Sequence, residues 1–317
     1  MKVRPYIRIA RPDHWFKNGF MVLGIVIVSF YEPEAFTWAA LPRLAVAIVA
    51  TCLVASSNYV LNEILDAPTD LKHPEKRLRP IPAGEVSLPL AWAEWIGLAA
   101  IGLGLASTLG TAFLLSAAAL WVMALVYNVP PVRAKELPYV DVITESINNP
   151  IRLLLGWFAL VDTMLPPVSL LLSYWGLGAF LMATKRYAEL RSIGDRRRAA
   201  AYRASFAHYT EERLLVSLFF YASLCALFGG VFLVRCKLEL LFAAPFVAGA
   251  MAAYLRLGME PDSPTQKPEL LYRERGFFAY VVFCGMLFFA AMFVEVPALY
   301  ELFRVEPPRT PALWRLG

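Results

Sequence analysis

Long apolar stretches recur along this chain, and their length constrains its fold more than any other feature. A membrane-spanning α-helix needs about 20 mostly apolar residues to cross a hydrocarbon layer of about 30 Å. Because 59% of the residues are hydrophobic and only 17% are charged, an integral membrane protein is favoured over a soluble domain. We therefore predict an all-α integral membrane protein with about nine transmembrane helices, at residues 15–31, 43–61, 88–107, 111–128, 139–160, 167–184, 213–234, 238–257 and 277–303.

The distribution of basic residues indicates the orientation of the chain. The formal net charge is +5, which alone would suit a nucleic-acid-binding protein. With the N-terminus inside, however, most Lys and Arg residues fall in the inner connections, as the positive-inside rule requires. We predict a multi-pass protein of the cell (inner) membrane, surrounded by membrane lipids, with a cytoplasmic N-terminus and no nucleic-acid partner. Functional chemistry is expected on the cytoplasmic side, where the three large polar loops lie: 62–87, 185–212 and 258–276.

Acidic residues gather in the stretch NEILDAPTD at the end of the second span. Asn58, Asn62 and Asp66 are spaced i, i+4 and i+8 and therefore share one helix face. Carboxylates this close together stay ionised only with a cation among them. Oxygen ligands without sulfur or imidazole favour Mg²⁺, which commonly joins protein carboxylates to substrate phosphates. The alternative is a solvated polar loop whose charges pair with one another.

The neighbouring residues extend this predicted phosphate site. Glu63 lies one position round the helix from Asn62 and can lean towards the same opening. Pro68 disfavours helix at the residue before it, so Asp70 is predicted on the loop just beyond the helix. Cations that suit the remaining phosphate charge follow: Lys72, Lys76, Arg77 and Arg79.

A second polar pattern lies inside the fifth apolar stretch, YVDVITESINNPIRLLLGW. Its polar side chains share a single helix face: Asp141, Glu145, Asn148, Asn149 and Arg152. Ionisable groups at membrane depth are costly unless they face partners or a wet cavity. Pro150 predicts a kink that frees carbonyl groups near the asparagines. We predict that this face lines a cavity, where Glu145, Asn149 and Arg152 contact a polar ligand; the alternative is a salt-bridged stripe that holds helices together.

The acidic stretch resembles the first aspartate-rich motif of the UbiA prenyltransferase superfamily, NDxxDxxxD, with Glu63 in place of the first aspartate. The resemblance implies one domain over residues 1–317, with its helices around a central cavity open to the cytoplasmic side and the three polar loops as a cap. It also implies a diphosphate held through Mg²⁺. The metal ligands that it implies are Asn62, Glu63, Asp66 and Asp70.

Two further stretches resemble the polyprenyl-phosphate phosphoribosyltransferase branch of that superfamily. RPDHWFKN is similar to RPxxWxKN, and ATKRYAELR is similar to a KRxxEL segment that replaces the second acidic DxxxD motif of aromatic prenyltransferases. The resemblance implies that phosphoribosyl diphosphate is the donor and a polyprenyl phosphate lipid the acceptor, in cell-envelope glycan synthesis. The implied catalytic residues are Asn62, Asp66, Asp70 and Lys185. The implied substrate contacts include Arg11, Lys17, Asn58, Lys76, Arg77, Arg186, Tyr187 and Glu189.

Other interpretations stay open. Arg11, Lys17, Lys185 and Arg186 could serve only as interfacial anchors. An aromatic prenyltransferase would use a polyprenyl diphosphate donor, against which the absence of a second DxxxD argues. A transporter would distribute polar residues through both halves of the bilayer, and no inverted repeat is visible. The sequence also leaves a homo-oligomer open.

Overall fold

The computed structural model describes residues 3–71, 76–306 and 314–315. Two short strands, β1 Val294–Glu295 and β2 Trp314–Arg315, pair in parallel, with Val294 opposite Trp314. Helices dominate elsewhere, which confirms the all-helical prediction. The α-helices are α1 Arg4–Ala10, α2 Met21–Tyr31, α3 Leu41–Asp70, α4 Leu88–Ser107, α5 Thr111–Asn128, α6 Val140–Ser146, α7 Asn148–Phe158, α8 Val168–Ile193, α9 Arg196–Tyr202, α10 Glu211–Cys236, α11 Ala244–Gly258, α12 Arg275–Phe293 and α13 Pro297–Phe303.

Short 3₁₀ helices occupy many of the connections. They run over Pro12–Phe20, Pro33–Ala35, Trp38–Ala40, Lys76–Leu78, Ala134–Glu136, Ala204–Ala207, Leu238–Phe242, Pro264–Gln266 and Pro268–Arg273.

Six helices within the described ranges are long and apolar enough to cross a membrane: Trp38–Asp70, α4, α5, α8, α10 and α12. The other three predicted spans coincide with α2, with the pair α6 and α7, and with α11, which are shorter or interrupted. At 1.5 Å per residue, the 11 residues of α2 cover about 17 Å, well short of a hydrocarbon layer of about 30 Å. The chain is a multi-pass membrane protein, while nine crossings and a cytoplasmic cavity stay predictions.

The chain divides into two compact units, Met1–Leu165 and Pro166–Gly317. In the first unit, α3 packs along α4 and α5, and α2 packs along α7. In the second unit, α8 packs along α10, and α11 packs against α8 and α12. The single domain over residues 1–317 stays a prediction.

Two glycines allow α2 and α7 to meet backbone to backbone. A Cβ atom at Gly24 would lie 2.1 Å from the carbonyl oxygen of Leu153, and one at Gly156 would lie 2.0 Å from that of Met21. Helices in lipid associate largely through close van der Waals packing of this kind, since apolar surface gains little by leaving lipid. The contact fixes α7, which carries part of the polar stripe, against α2, the α-helix that follows the RPDHWFKN segment.

The prediction that Asp70 lies beyond the helix is wrong. α3 continues through Pro68 to Asp70, and the N–H of Leu71 still donates to the carbonyl of Ala67 at 3.1 Å. A proline removes one helical hydrogen bond, but the bonds on either side of it hold this long helix together. Asn62, Asp66 and Asp70 therefore follow one helix at intervals of four residues.

Candidate functional site

The C-terminal part of α3 carries four predicted metal ligands, and we call Asn62, Glu63, Asp66 and Asp70 the α3 cluster. Asp66 Oδ1 accepts hydrogen bonds from Lys135 Nζ and, at 3.2 Å, from Arg133 Nη2. Lys135 Nζ also donates to Asn62 Oδ1 at 3.3 Å and to Asn128 Oδ1 at 2.9 Å. Three side-chain oxygens from α3 and α5 thus converge on one positive charge.

The segment after α5 brings these cations to α3. Asn128 is the last residue of α5, and its Nδ2 donates to the carbonyl of Ala124 at 3.0 Å, which orients its amide. Lys135 lies on the 3₁₀ helix that follows and is buried, so its ammonium depends on the oxygens around it. From the sequence, Arg133 and Lys135 could be either phosphate contacts or cations that set the topology, and no pattern indicated Asn128.

The two remaining acids of the α3 cluster have other partners. Buried Glu63 accepts the backbone N–H of Ile81 at 3.0 Å. Buried Asp70 pairs with Arg79, whose Nη1 lies 2.7 Å from Asp70 Oδ2. Both partners belong to the loop after α3, so this loop is tied to the helix by its acids.

The other predicted contacts of this region lie on the 3₁₀ helix Lys76–Leu78 and on α3. Lys76 is half-buried and Arg77 is exposed, while Lys72 lies outside the described residues. Asn58 Nδ2 donates to the carbonyl of Leu120 at 3.0 Å, and its Oδ1 is buried without a hydrogen bond from the described residues. Asn58 therefore keeps an acceptor one helical turn before Asn62.

The α3 cluster together with Asn128 offers a set of oxygen donors that fits a magnesium ion. Asn62, Asp66 and Asn128 present oxygen atoms, the ligand type that Mg²⁺ prefers, and these atoms already face the charge of Lys135. Over the described part of the chain, no group of three or more His, Cys, Asp or Glu side chains is placed to hold a metal. An ion at this site would therefore be held by few carboxylates, together with amide, water and substrate oxygens, as is usual for Mg²⁺.

The RPDHWFKN segment packs on α3 near the cluster. Trp15 Nε1 donates to Ser56 Oγ at 2.9 Å. The Arg11 guanidinium carbon and Lys17 Nζ each lie 5.8 Å from the centre of the Tyr59 ring, within the range of a cation–π contact. Two predicted phosphate contacts thus flank one aromatic ring, which lies one helical turn before Glu63.

The last residue of that segment reaches the polar stripe. Asn18 Oδ1 accepts from Arg152 Nε at 3.1 Å, and Asn18 Nδ2 donates to Cys52 Sγ at 3.2 Å. Arg152 Nη1 also donates to the carbonyl of Asn148 at 3.3 Å. From the sequence, Asn18 belongs to an interfacial anchor with Trp15 and Lys17. Its partner Arg152 is 134 residues away and leaves no local signal.

The polar stripe is divided between two helices close to the predicted kink at Pro150. α6 ends at Ser146 and α7 begins at Asn148, and Pro150 has no N–H with which to bond the carbonyl four residues earlier. Glu145 and Asn149 are half-buried. That this face lines a cavity stays a prediction.

In the second unit, α8 carries Lys185, Arg186 and Glu189, which we call the cationic turn. Arg186 Nη1 donates to Glu189 Oε2 at 2.8 Å, and Lys185 Nζ lies 3.9 Å from Glu189 Oε1. Arg186 and Glu189 are both buried. One carboxylate therefore meets two cations, and Glu189 is engaged as an ion-pair partner.

Tyr187 points its side chain into the protein interior. It is 3% exposed and belongs to a core with Ala199, Phe206 and Tyr209. Its hydroxyl donates to Glu211 Oε2 at 3.1 Å and accepts from a neighbouring arginine at 3.0 Å. The predicted contact of Tyr187 with substrate stays a prediction.

Residues 20–282 match the model of the UbiA prenyltransferase family. A decaprenyl-phosphate phosphoribosyltransferase of Mycolicibacterium smegmatis is 32% identical over 212 residues, which are 66% of this chain and 63% of that protein. A protein of the same name from Corynebacterium glutamicum is 30% identical over 208 residues, or 66% of this chain and 60% of its own length. The chain thus spans less than two thirds of the length of these two relatives.

A solved structure has the same fold. The UbiA homologue of Archaeoglobus fulgidus, bound to GPP and Mg²⁺, matches with a TM-score of 0.69 at 18% identity and covers 91% of this chain and 99% of that one. At this level of identity the likeness concerns the fold alone.

Proposed function

Because the chain belongs to the UbiA prenyltransferase family, we propose that it is a membrane transferase that moves 5-phosphoribose from phosphoribosyl diphosphate to a polyprenyl phosphate lipid. The reaction takes place on the cytoplasmic side and serves the synthesis of cell-envelope glycans. The names of the two relatives support this choice. The observation that carries it is the charge of the cationic turn. Where aromatic prenyltransferases of the superfamily have a second acidic motif, Lys185 and Arg186 share one carboxylate, which suits phosphate better than a second metal ion.

The proposed reaction needs no strong general base. A phosphate oxygen of the lipid, already an anion, forms a bond to the anomeric carbon of ribose. The bond from that carbon to the diphosphate breaks, and diphosphate leaves with the electron pair, so that no proton moves. Catalysis then depends on holding the two reactants in line and on stabilising the charge of the leaving group.

In the first unit, the α3 cluster and its partners are assigned to the leaving group. Asn62, Glu63, Asp66 and Asp70 would hold Mg²⁺ directly or through water. Bound Mg²⁺ would supply charge neutralisation for the departing diphosphate. Lys135 and Arg133, which contact Asp66, would bind diphosphate oxygens and limit the repulsion between the phosphates and the carboxylate.

The remaining substrate contacts are assigned from the charge of each side chain and from its position along the helices. Lys185 would bind a phosphate of the donor, while Glu189 holds Arg186 in place through their ion pair. Arg11 and Lys17 lie beside the same ring, that of Tyr59. Their positive charges would bind the lipid phosphate. Arg152 and Asn149 would contact ribose hydroxyl groups.

The test uses purified protein with Mg²⁺ in two parallel reactions. One contains labelled phosphoribosyl diphosphate and a polyprenyl phosphate; the other contains a polyprenyl diphosphate and 4-hydroxybenzoate. We expect label to enter the lipid in the first reaction and no product to form in the second. Prenylated 4-hydroxybenzoate with no labelled lipid would instead identify an aromatic prenyltransferase and overturn the proposal.

A further inference from the structure

Residues 194–210, between α8 and α10, form a folded platform. Asp195 caps α9, since its Oδ1 accepts the backbone N–H of Arg198 at 2.7 Å. Thr210 caps α10 in the same manner, by accepting the N–H of Arg213 at 3.2 Å. Beneath the platform lies an aromatic core that joins it to α8 and α10: Tyr187, Ala199, Phe206, Tyr209 and Leu214, with Leu190, Ile193 and Tyr202 packed against it.

The outer surface of this platform carries three consecutive arginines, Arg196, Arg197 and Arg198, which we call the arginine patch. All three are exposed, and over the described residues none of them pairs with a carboxylate. The nearby acids are committed elsewhere: Asp195 to its helix cap and Glu211 to Tyr187. The fold therefore presents three positive charges to the surroundings without neutralising them.

The lengths of the flanking helices place the arginine patch at the depth of lipid headgroups. α8 and α10 each have 26 residues and are about 39 Å long at 1.5 Å per residue. The hydrocarbon layer is about 30 Å thick, and the bilayer with its headgroup regions is about 40–45 Å thick. If these helices cross the membrane, they project by only several ångströms, and the connection between them lies among the headgroups.

We propose that the arginine patch binds the phosphate of an anionic membrane phospholipid. Clusters of cations at the membrane surface attract anionic headgroups, and guanidinium groups form paired hydrogen bonds with phosphate. Because Tyr187 of the aromatic core lies next to Arg186 on α8, a bound lipid would also stabilise the helix end that bears the cationic turn. The binding itself does not depend on the proposed reaction.

The experiment measures lipid retention rather than activity. The purified chain is titrated in detergent micelles with phosphatidylglycerol or phosphatidylcholine, and bound lipid is counted by native mass spectrometry, with thermal stability recorded in parallel. We expect phosphatidylglycerol, but not phosphatidylcholine, to be retained and to raise the melting temperature. In an R196Q/R197Q/R198Q variant the half-saturating concentration should rise by roughly 100-fold, since each surface arginine contributes roughly fivefold and the three factors multiply.

Two further variants separate the arginine patch from general charge effects. The R196K/R197K/R198K variant preserves the charge and should retain most of the lipid binding. The K267Q/R273Q/R275Q variant loses the same charge from exposed positions elsewhere in the second unit that are not consecutive, and it should lose clearly less lipid binding than the R196Q/R197Q/R198Q variant. Retention should also fall at 1 M salt, where the screening length is about 3 Å.

Several results would overturn the proposal. Equal lipid retention by the R196Q/R197Q/R198Q variant and the wild type would show that these arginines bind no lipid. Equal losses in that variant and in K267Q/R273Q/R275Q would show that only net charge matters. Displacement of phosphatidylglycerol by an equal concentration of soluble glycerol phosphate or diphosphate would show a site for free phosphate rather than for lipid.

Discussion

The α3 cluster and the cationic turn both combine acids with cations, but they do so in opposite ways. In the first unit the acids come from one helix, and their cations come from other segments: Arg79 is 9 residues from Asp70, and Lys135 is 69 residues from Asp66. In the second unit acid and cations share one turn of α8, with Arg186 and Glu189 three residues apart. The first arrangement depends on the tertiary fold, whereas the second is set by helix geometry alone.

The α3 cluster and the cationic turn also differ in the balance between negative and positive side chains. Asp66 meets two cations, Lys135 and Arg133. The α3 cluster adds two further acids, Glu63 and Asp70, and the neutral amide oxygen of Asn62, so that a metal ion would find several oxygen ligands there. Lys185 and Arg186 together exceed the charge of Glu189, so that the turn attracts anions. We infer that the first unit binds the metal and the leaving diphosphate, and that the second binds phosphate directly.

The largest expected effect is that of Asp66→Asn. The substitution keeps the shape of the side chain but removes the carboxylate that pairs with Lys135 and Arg133. We expect phosphoribosyl transfer to fall by about 10²–10³-fold, the usual cost of losing a group that stabilises the charge of the transition state. Initial rates with labelled donor measure the loss.

Asp162→Asn is the matched control, because Asp162 is an exposed acid of the same unit. Its activity should stay within about twofold of the wild type, as surface substitutions usually do little. If Asp66→Asn retained wild-type activity with the same Mg²⁺ requirement, the α3 cluster would have no part in catalysis.

A smaller effect is expected for Lys185→Gln. A hydrogen bond to a charged group contributes about 1.5–3 kcal/mol, so the KM for phosphoribosyl diphosphate should rise by roughly 10- to 100-fold. Lys185→Arg should recover much of the affinity because it keeps the charge. Steady-state kinetics at varied donor concentration provide the values, and an unchanged KM in Lys185→Gln would contradict phosphate binding by the cationic turn.

The smallest effect is expected for Tyr187→Phe. The hydroxyl is bonded within the protein, so its loss should cost about 1 kcal/mol of stability and leave activity within about twofold. Melting temperature and transfer rate should be measured on the same preparation. A large loss of activity at unchanged stability would instead place the hydroxyl on the substrate, as the sequence resemblance implies.

Much of the fold could be predicted from the sequence because apolar length and helical spacing are local properties. The long helices α4, α5, α8 and α10 follow from such stretches, and so does the interruption near Pro150. The end of α3 could not be predicted, because the bias against helix before Pro68 is weaker than the hydrogen bonds that continue to Leu71. The short α2 could not be predicted either, since composition does not show where a 3₁₀ helix replaces an α-helix.

Part of the candidate site could also be predicted, because helical spacing is a local property of the sequence. The face shared by Asn62 and Asp66, and the turn shared by Arg186 and Glu189, follow from helix spacing. The contacts of Asn128 with Lys135 and of Asn18 with Arg152 could not be predicted, because the fold brings these partners together. A single polar residue at the end of an apolar stretch does not reveal which distant charge it will meet.

The most direct test of the contrast between the two units is the affinity for Mn²⁺, used in place of Mg²⁺, in the presence of inorganic diphosphate. Electron paramagnetic resonance can follow binding to the wild type and to folded, monodisperse Asp66→Asn and Glu189→Gln variants. We predict that Asp66→Asn weakens Mn²⁺ binding by about tenfold or more, as loss of a charged ligand should, while Glu189→Gln changes it by less than about threefold. Loss of Mn²⁺ binding in Glu189→Gln with full binding in Asp66→Asn would contradict the account.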